Sequence, residues 1–121
     1  MNYKTTKKDF QEFKKECEYW IKYFRISGWE IHFIHSSDPD GRACCFWDEP
    51  GRISTISLNL SWSMTPVKNE IKRTAFHEVC ELLLARLQNQ AMEIKAKLYV
   101  SETAHEIIRV LENSIFIEKR K

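Results

Sequence analysis

Glycine and proline are scarce in this chain, three of each in 121 residues, and none of its cysteines forms a C-x-x-C pair. The first shortage argues against a loop-rich or low-complexity chain and for an ordered globule with short connections. The second argues against a disulfide framework. Cys44 and Cys45 are adjacent and would bridge only under strain, so Cys17, Cys44, Cys45 and Cys80 read as free thiols serving as small buried hydrophobes. No apolar run approaches the ~20 residues that cross a bilayer, and the opening residues lack the apolar core of a signal peptide. An excess of one charge is missing too: 19 Lys and Arg against 17 Asp and Glu leave a formal charge of +2. The basic clusters at Lys4, Lys7, Lys8, Lys14 and Lys15 and at Lys119, Arg120 and Lys121 read as solvated helix faces and tails rather than a nucleic-acid surface. We therefore expect a single soluble, cytoplasmic domain over 1–121, with no nucleic-acid and no membrane partner.

What is present is a clear alternation of periods. Thr5 or Thr6 caps a helix whose apolar residues Phe10, Phe13, Cys17, Trp20, Ile21 and Phe24 recur at three and four, ending at Ser27-Gly28. Residues 29–35 alternate with Trp29, Ile31 and Phe33 on one side, and the turn-rich 36–41 segment closes them. Residues 42–48 and 52–60 flank a turn at 49–51, and the second of these places Ile56, Leu58 and Leu60 on one face. Three antiparallel strands in a meander are expected. Thr65-Pro66 reads as the start of a long helix reaching about Leu87, with Ile71, Ala75, Val79, Leu82 and Leu83 as its apolar stripe. Between 88 and 100 the pattern is divided: Ala91, Ile94 and Leu98 continue a helix, while Tyr99-Val100 looks extended. Ser101 then caps a last helix carrying His105, Ile108, Leu111 and Ile115. The fold class is α+β: N-terminal helix, three-stranded antiparallel sheet, motif helix and C-terminal helix.

The most informative segment is Phe76-His77-Glu78-Val79-Cys80-Glu81-Leu82 in the middle of the long helix. Residues i and i+4 share a helical face, so His77 and Glu81 point the same way, with Glu78 at the edge of that face. An imidazole and a carboxylate so placed are two ligands of a metal site that lacks a third.

The order of elements, with His-Glu-x-x-acid at its centre, resembles the zincin metallopeptidases in minimal form. It also resembles a group of small phage-encoded zincin-like proteins, in which a segment like 75–84 is followed by one like His105-Glu106-Ile107-Ile108-Arg109-Val110-Leu111-Glu112-Asn113. The resemblance covers the second half of the chain by motif and the first half only by element order. Zincins carry His at both motif positions, whereas Glu81 stands where the second would be. In the gluzincin branch two His come from the motif helix and a Glu from a later one. Here the ligand types are exchanged, and the resemblance implies His77, Glu81 and His105 around Zn²⁺, with Glu78 as general base for the attacking water. Glu102 and Glu106 are alternatives to His105. An oxyanion donor is offered by His35, Tyr99 or Arg109 without a choice among them.

Plainer readings stand beside this one. His77 and Glu81 are also an ordinary helix pair, Cys80 and the four tryptophans read as packing residues, and His32 and His35 point to opposite faces of a strand and cannot share one metal. Glu102-x-x-His105 matches the short signature of carboxylate-bridged di-iron bundles, but those draw on four helices. Two functions follow: a zinc-dependent hydrolase, a peptidase acting on a peptide laid along the sheet edge, or a non-catalytic phage protein that uses a metal-stapled scaffold to bind and inhibit a host protein.

Overall fold

The computed structural model describes residues 2–38, 41–92 and 97–120. Strand β1 (Tyr3–Lys4) leads into helix α1 (Lys7–Tyr23), which is followed by strands β2 (Glu30–Ser36), β3 (Ala43–Asp48), β4 (Ile53–Asn59) and β5 (Ser61–Trp62). Helices α2 (Glu70–Leu83), α3 (Ala85–Met92) and α4 (Lys97–Leu111) complete the second half, and a π turn (Glu112–Phe116) joins α4 to the short α5 (Ile117–Lys119).

Helix α1 begins where its chemistry demands. Thr6 Oγ1 accepts the Asp9 N–H at 3.0 Å, and Asp9 Oδ2 accepts the Thr6 N–H at 2.9 Å, a reciprocal cap. Its end comes earlier than the expected Ser27-Gly28. Ile26 N–H bonds to Ile21 O and Arg25 N–H to Lys22 O, the paired bonds of a Schellman ending. That ending requires a left-handed residue, and Arg25 fills the role with φ of 54°.

The expected antiparallel meander is corrected. The sheet order is β2-β4-β3, and β2 runs parallel to β4 while β3 is antiparallel to it. The central place goes to the strand best able to be buried: Ser54, Ile56, Ser57, Leu58 and Asn59 are all enclosed. To reach the far edge, the chain after β2 passes the end of β4, and Asn59 secures that passage. Its Oδ1 accepts the backbone N–H groups of Asp38 and Ser61, and its Nδ2 donates to the carbonyls of Asp38 and Gly41. These bonds give the crossing backbone the partners it would otherwise lack. Pro39 and Asp40, part of the expected turn, lie outside the described residues. A second, two-stranded sheet pairs β1 with β5 and was not anticipated.

The helical boundaries also differ. The motif helix starts at Glu70, not Pro66, because Val67 to Asn69 form a turn closed by Glu70: its Oε1 accepts the Val67 N–H, and Asn69 is left-handed with φ of 65°. The helix ends at Leu83, and Leu84 separates it from α3. After this bend Asn89 reaches the sheet, accepting from Trp47 Nε1 and donating to Glu49 Oε2, each at 2.9 Å. Helix α4 begins at Lys97, so Tyr99-Val100 is helical rather than extended and Ser101 lies inside the helix rather than capping it. Ile94 falls outside the described residues.

The core joins α1, the inner sheet face and α2. Phe13, Cys17, Trp20, Ile56, Leu58, Ala75, Phe76, Val79 and Ile108 are fully enclosed. Trp20 meets Phe76 edge-to-face at 4.7 Å, and Phe76 meets Phe116 at 5.4 Å, so the C-terminal turn is tied to the motif helix through aromatic contact. All four cysteines are free, with Cys17 and Cys80 in the core and Cys44 and Cys45 half-buried. Burial pushes Cys44 up to about 11 and Cys45 and Cys80 up to about 12, which favours the protonated thiols near neutral pH. No helix among the described residues is long and apolar enough to cross a membrane.

Candidate metal centre

The apolar stripe of α2 decides the orientation of the motif. Ala75, Phe76, Val79, Cys80 and Leu82 face the core, so the 100° step of the helix turns His77 and Glu81 to its margin, towards α4. Helix α4 docks by Ala104 and Ile108, which are buried, and these bracket His105 in sequence. Both placements are thus consequences of hydrophobic patterning.

The result brings His77, Glu81 and His105 together: one ligand atom from each lies within 4.8 Å of the others, and all three residues are half-buried. His105 Nε2 is 3.8 Å from Glu81 Oε2. The two imidazole rings stand 5.6 Å apart, 24° from parallel. His105 sits two turns into α4 rather than in its first turn as expected, because the helix starts earlier. The alternatives Glu102 and Glu106 are exposed, and neither belongs to the cluster among the described residues.

One atom tests whether a cation suits the site. Glu81 Oε1 is buried with no hydrogen-bond partner among the described residues, and leaving such an acceptor unsatisfied costs ~1–3 kcal/mol. A cation held by this carboxylate removes that deficit. Two imidazoles and one carboxylate form an N/O donor set that fits zinc.

Glu78 lies beside this cluster but turns inward. It is only 8% exposed, and burial pushes its carboxyl up to about 7, opposed by the neighbouring His77. A carboxyl with that affinity exchanges its proton near neutrality, which is what a general base requires.

Sequence reasoning missed Glu112. At the start of the π turn, 8% exposed, its Oε2 lies 3.4 Å from His77 Nδ1. That carboxylate holds His77 above the ordinary histidine range, against the opposing effect of burial. The signal was present, since Glu112 follows His105 by seven residues and seven residues make two helical turns.

Of the suggested oxyanion donors, His35 is engaged elsewhere. Thr5 Oγ1 gives its hydrogen to Asn59 O at 2.7 Å, so the 2.7 Å contact with His35 must be donated by His35 Nε2, whose ring stacks on Phe10 at 5.1 Å. His35 is thus a packing residue. Tyr99 and Arg109 are exposed. His32 is also exposed and pairs with Glu30 at 2.6 Å. An apolar cavity of about 270 Å³ between α3 and α4 is lined by Leu84, Leu87, Tyr99, Ala104 and Ile107 among others, and contains none of the three clustered residues.

Compared with protein-family models, with curated proteins and with solved structures, the chain shows no match in any of the three.

Proposed function

We propose that the protein is a zinc-dependent hydrolase of minimal zincin-like type, a peptidase, in which His77, Glu81 and His105 hold the metal and Glu78 is the general base. The observation that carries this reading is the convergence of one ligand atom from each of the three side chains within 4.8 Å, together with a Glu81 oxygen that is buried without a hydrogen-bond partner among the described residues. Zinc at such a site supplies Lewis acidity, polarising a carbonyl and lowering the pKa of water.

The chain's own residues do the rest. Glu78 takes the proton from the attacking water and delivers it to the leaving amine. Its burial excludes bulk water from that transfer. Strand β3 is bonded to β4 on one side only among the described residues, and α2 packs against it. An extended peptide added along the open side of β3 would lie next to the motif helix, held by main-chain hydrogen bonds.

A second reading rests on the other face of the sheet. The register places Ile34, Phe46 and Ile53 on the face away from the core, and each is at least 40% exposed. In this reading the metal is a staple between α2 and α4, and this sheet face, through its three exposed apolar side chains, occupies a host protein without catalysis.

Metal analysis and one variant separate the possibilities. Purified protein is expected to carry about one equivalent of zinc, with H77A and H105A each abolishing it; folded wild-type protein that binds no zinc sinks both readings. E78Q is expected to retain zinc and lose peptide cleavage. Cleavage undiminished in E78Q excludes the catalytic role of Glu78, and zinc-loaded wild type that cleaves no peptide in a mixed library favours the staple.

A further inference from the structure

The position of Glu112 points to a role that the three-ligand cluster does not include. Its carboxylate is buried, lies 3.4 Å from Nδ1 of His77, and stands outside the set of mutually close ligand atoms. It is therefore close to one ligand without being one of them. A histidine that binds a metal uses one ring nitrogen, and the other typically donates its hydrogen to a carboxylate or carbonyl that fixes the tautomer and the ring orientation.

We propose that Glu112 is the positioning carboxylate of this site, accepting the Nδ1 hydrogen of His77 and so presenting Nε2 to the metal. The proposal rests on the metal-site reading above and adds to it a residue from a third segment. The local backbone supports the assignment. Glu112 opens a π turn, a rare widening of the helix that is frequent at functional sites. At the other end of that turn Phe116 is buried against Phe76, the residue before His77. The π turn thus grips the motif helix twice, once by packing and once by a polar contact on the ligand itself. Helix α4 and the turn after it divide the work: His105 supplies a ligand, and Glu112, two turns on, orients a ligand that belongs to α2.

A merely structural Glu112 would leave metal affinity alone, which makes affinity the deciding measurement. Zinc dissociation constants are measured for full-length wild type and E112Q by competition with a chromophoric chelator, and the thermal midpoint of each metal-free protein is recorded. E112Q is expected to bind zinc with unchanged stoichiometry but roughly 10- to 100-fold more weakly. Zinc affinity in E112Q within about threefold of wild type overturns the proposal. A second measurement does not depend on the variant folding: in metal-free wild type, at a pH where the ring is neutral, long-range proton–nitrogen correlation should place the hydrogen of His77 on Nδ1. A hydrogen on Nε2 overturns the proposal equally. Wild type that binds no zinc overturns the underlying reading, whereas equal binding by wild type and E112Q overturns only the role of Glu112.

Discussion

Two carboxylates, the buried Glu16 and the half-buried Glu81, stand in opposite situations. Glu16 on α1 is 5% exposed and fully engaged: Trp20 Nε1 donates to it at 2.8 Å, and Arg120 grips both oxygens at 2.8 and 3.0 Å. The Arg120 guanidinium also lies 4.5 Å from the Tyr19 ring. The bidentate pair joins residues 104 apart in sequence, tying the C-terminal turn to α1. Glu81 has one oxygen near His105 and the other buried without a partner among the described residues. Removing a carboxylate with both oxygens paired strands its partners and destabilises the fold, whereas one with an unpaired buried oxygen is a place where a cation would be favoured. The contrast separates a region built for stability from one where stability is given up.

The largest expected effect comes from breaking the chemistry of the second region without touching the first. E78Q should lower peptide cleavage by about 10²- to 10⁴-fold with zinc content unchanged, as removing a general base does; turnover assays paired with metal analysis check it. Next comes the first region. E16A strands the Arg120 charge and the Trp20 N–H together, and should cost about 3 kcal/mol in denaturant unfolding, with zinc stoichiometry unaltered in the folded fraction.

Substituting Glu81 sharpens the contrast because the sign reverses. E81M removes a buried acceptor without a partner, and the metal-free protein should become more stable by about 1 kcal/mol while zinc binding is lost. A metal-free E81M less stable than metal-free wild type would show that Glu81 supports the fold as Glu16 does. The smallest effect lies away from both sites. Arg25 holds a left-handed conformation that costs a side chain about 1 kcal/mol, so R25G should raise stability by up to that amount, seen as a rise of roughly 4 °C in thermal midpoint.

Much of this was readable in advance, element by element. The threonine cap and the three-four spacing of Phe13, Cys17 and Trp20 sufficed for α1, since both are local effects. His77 and Glu81 could be assigned to one face because helical geometry fixes their relation whatever lies around them. The strand order was not readable. Alternation in 30–36, 43–48 and 53–59 says which side chains face the core, not which strand sits in the middle. The deciding contacts, Asn59 with the crossing loop, link positions up to 21 apart. Glu112 was passed over because an acidic residue late in a helix is ordinarily a solvated one, and its spacing from His105 places the two on one helical face without saying that a histidine 35 residues earlier meets that face.

The sequence by itself determined helix α1, the approximate positions of β2, β3, β4 and the motif helix, and the side on which His77 and Glu81 project, and it argued against a disulfide framework. These follow from interactions spanning a turn or two, where backbone geometry leaves few alternatives. Only the tertiary structure decided that β4 is central, that α4 brings His105 to Glu81, and that Glu112 rather than solvent meets Nδ1 of His77. Those outcomes depend on how apolar faces distant in sequence dock together, and the same local pattern is compatible with more than one way of docking them.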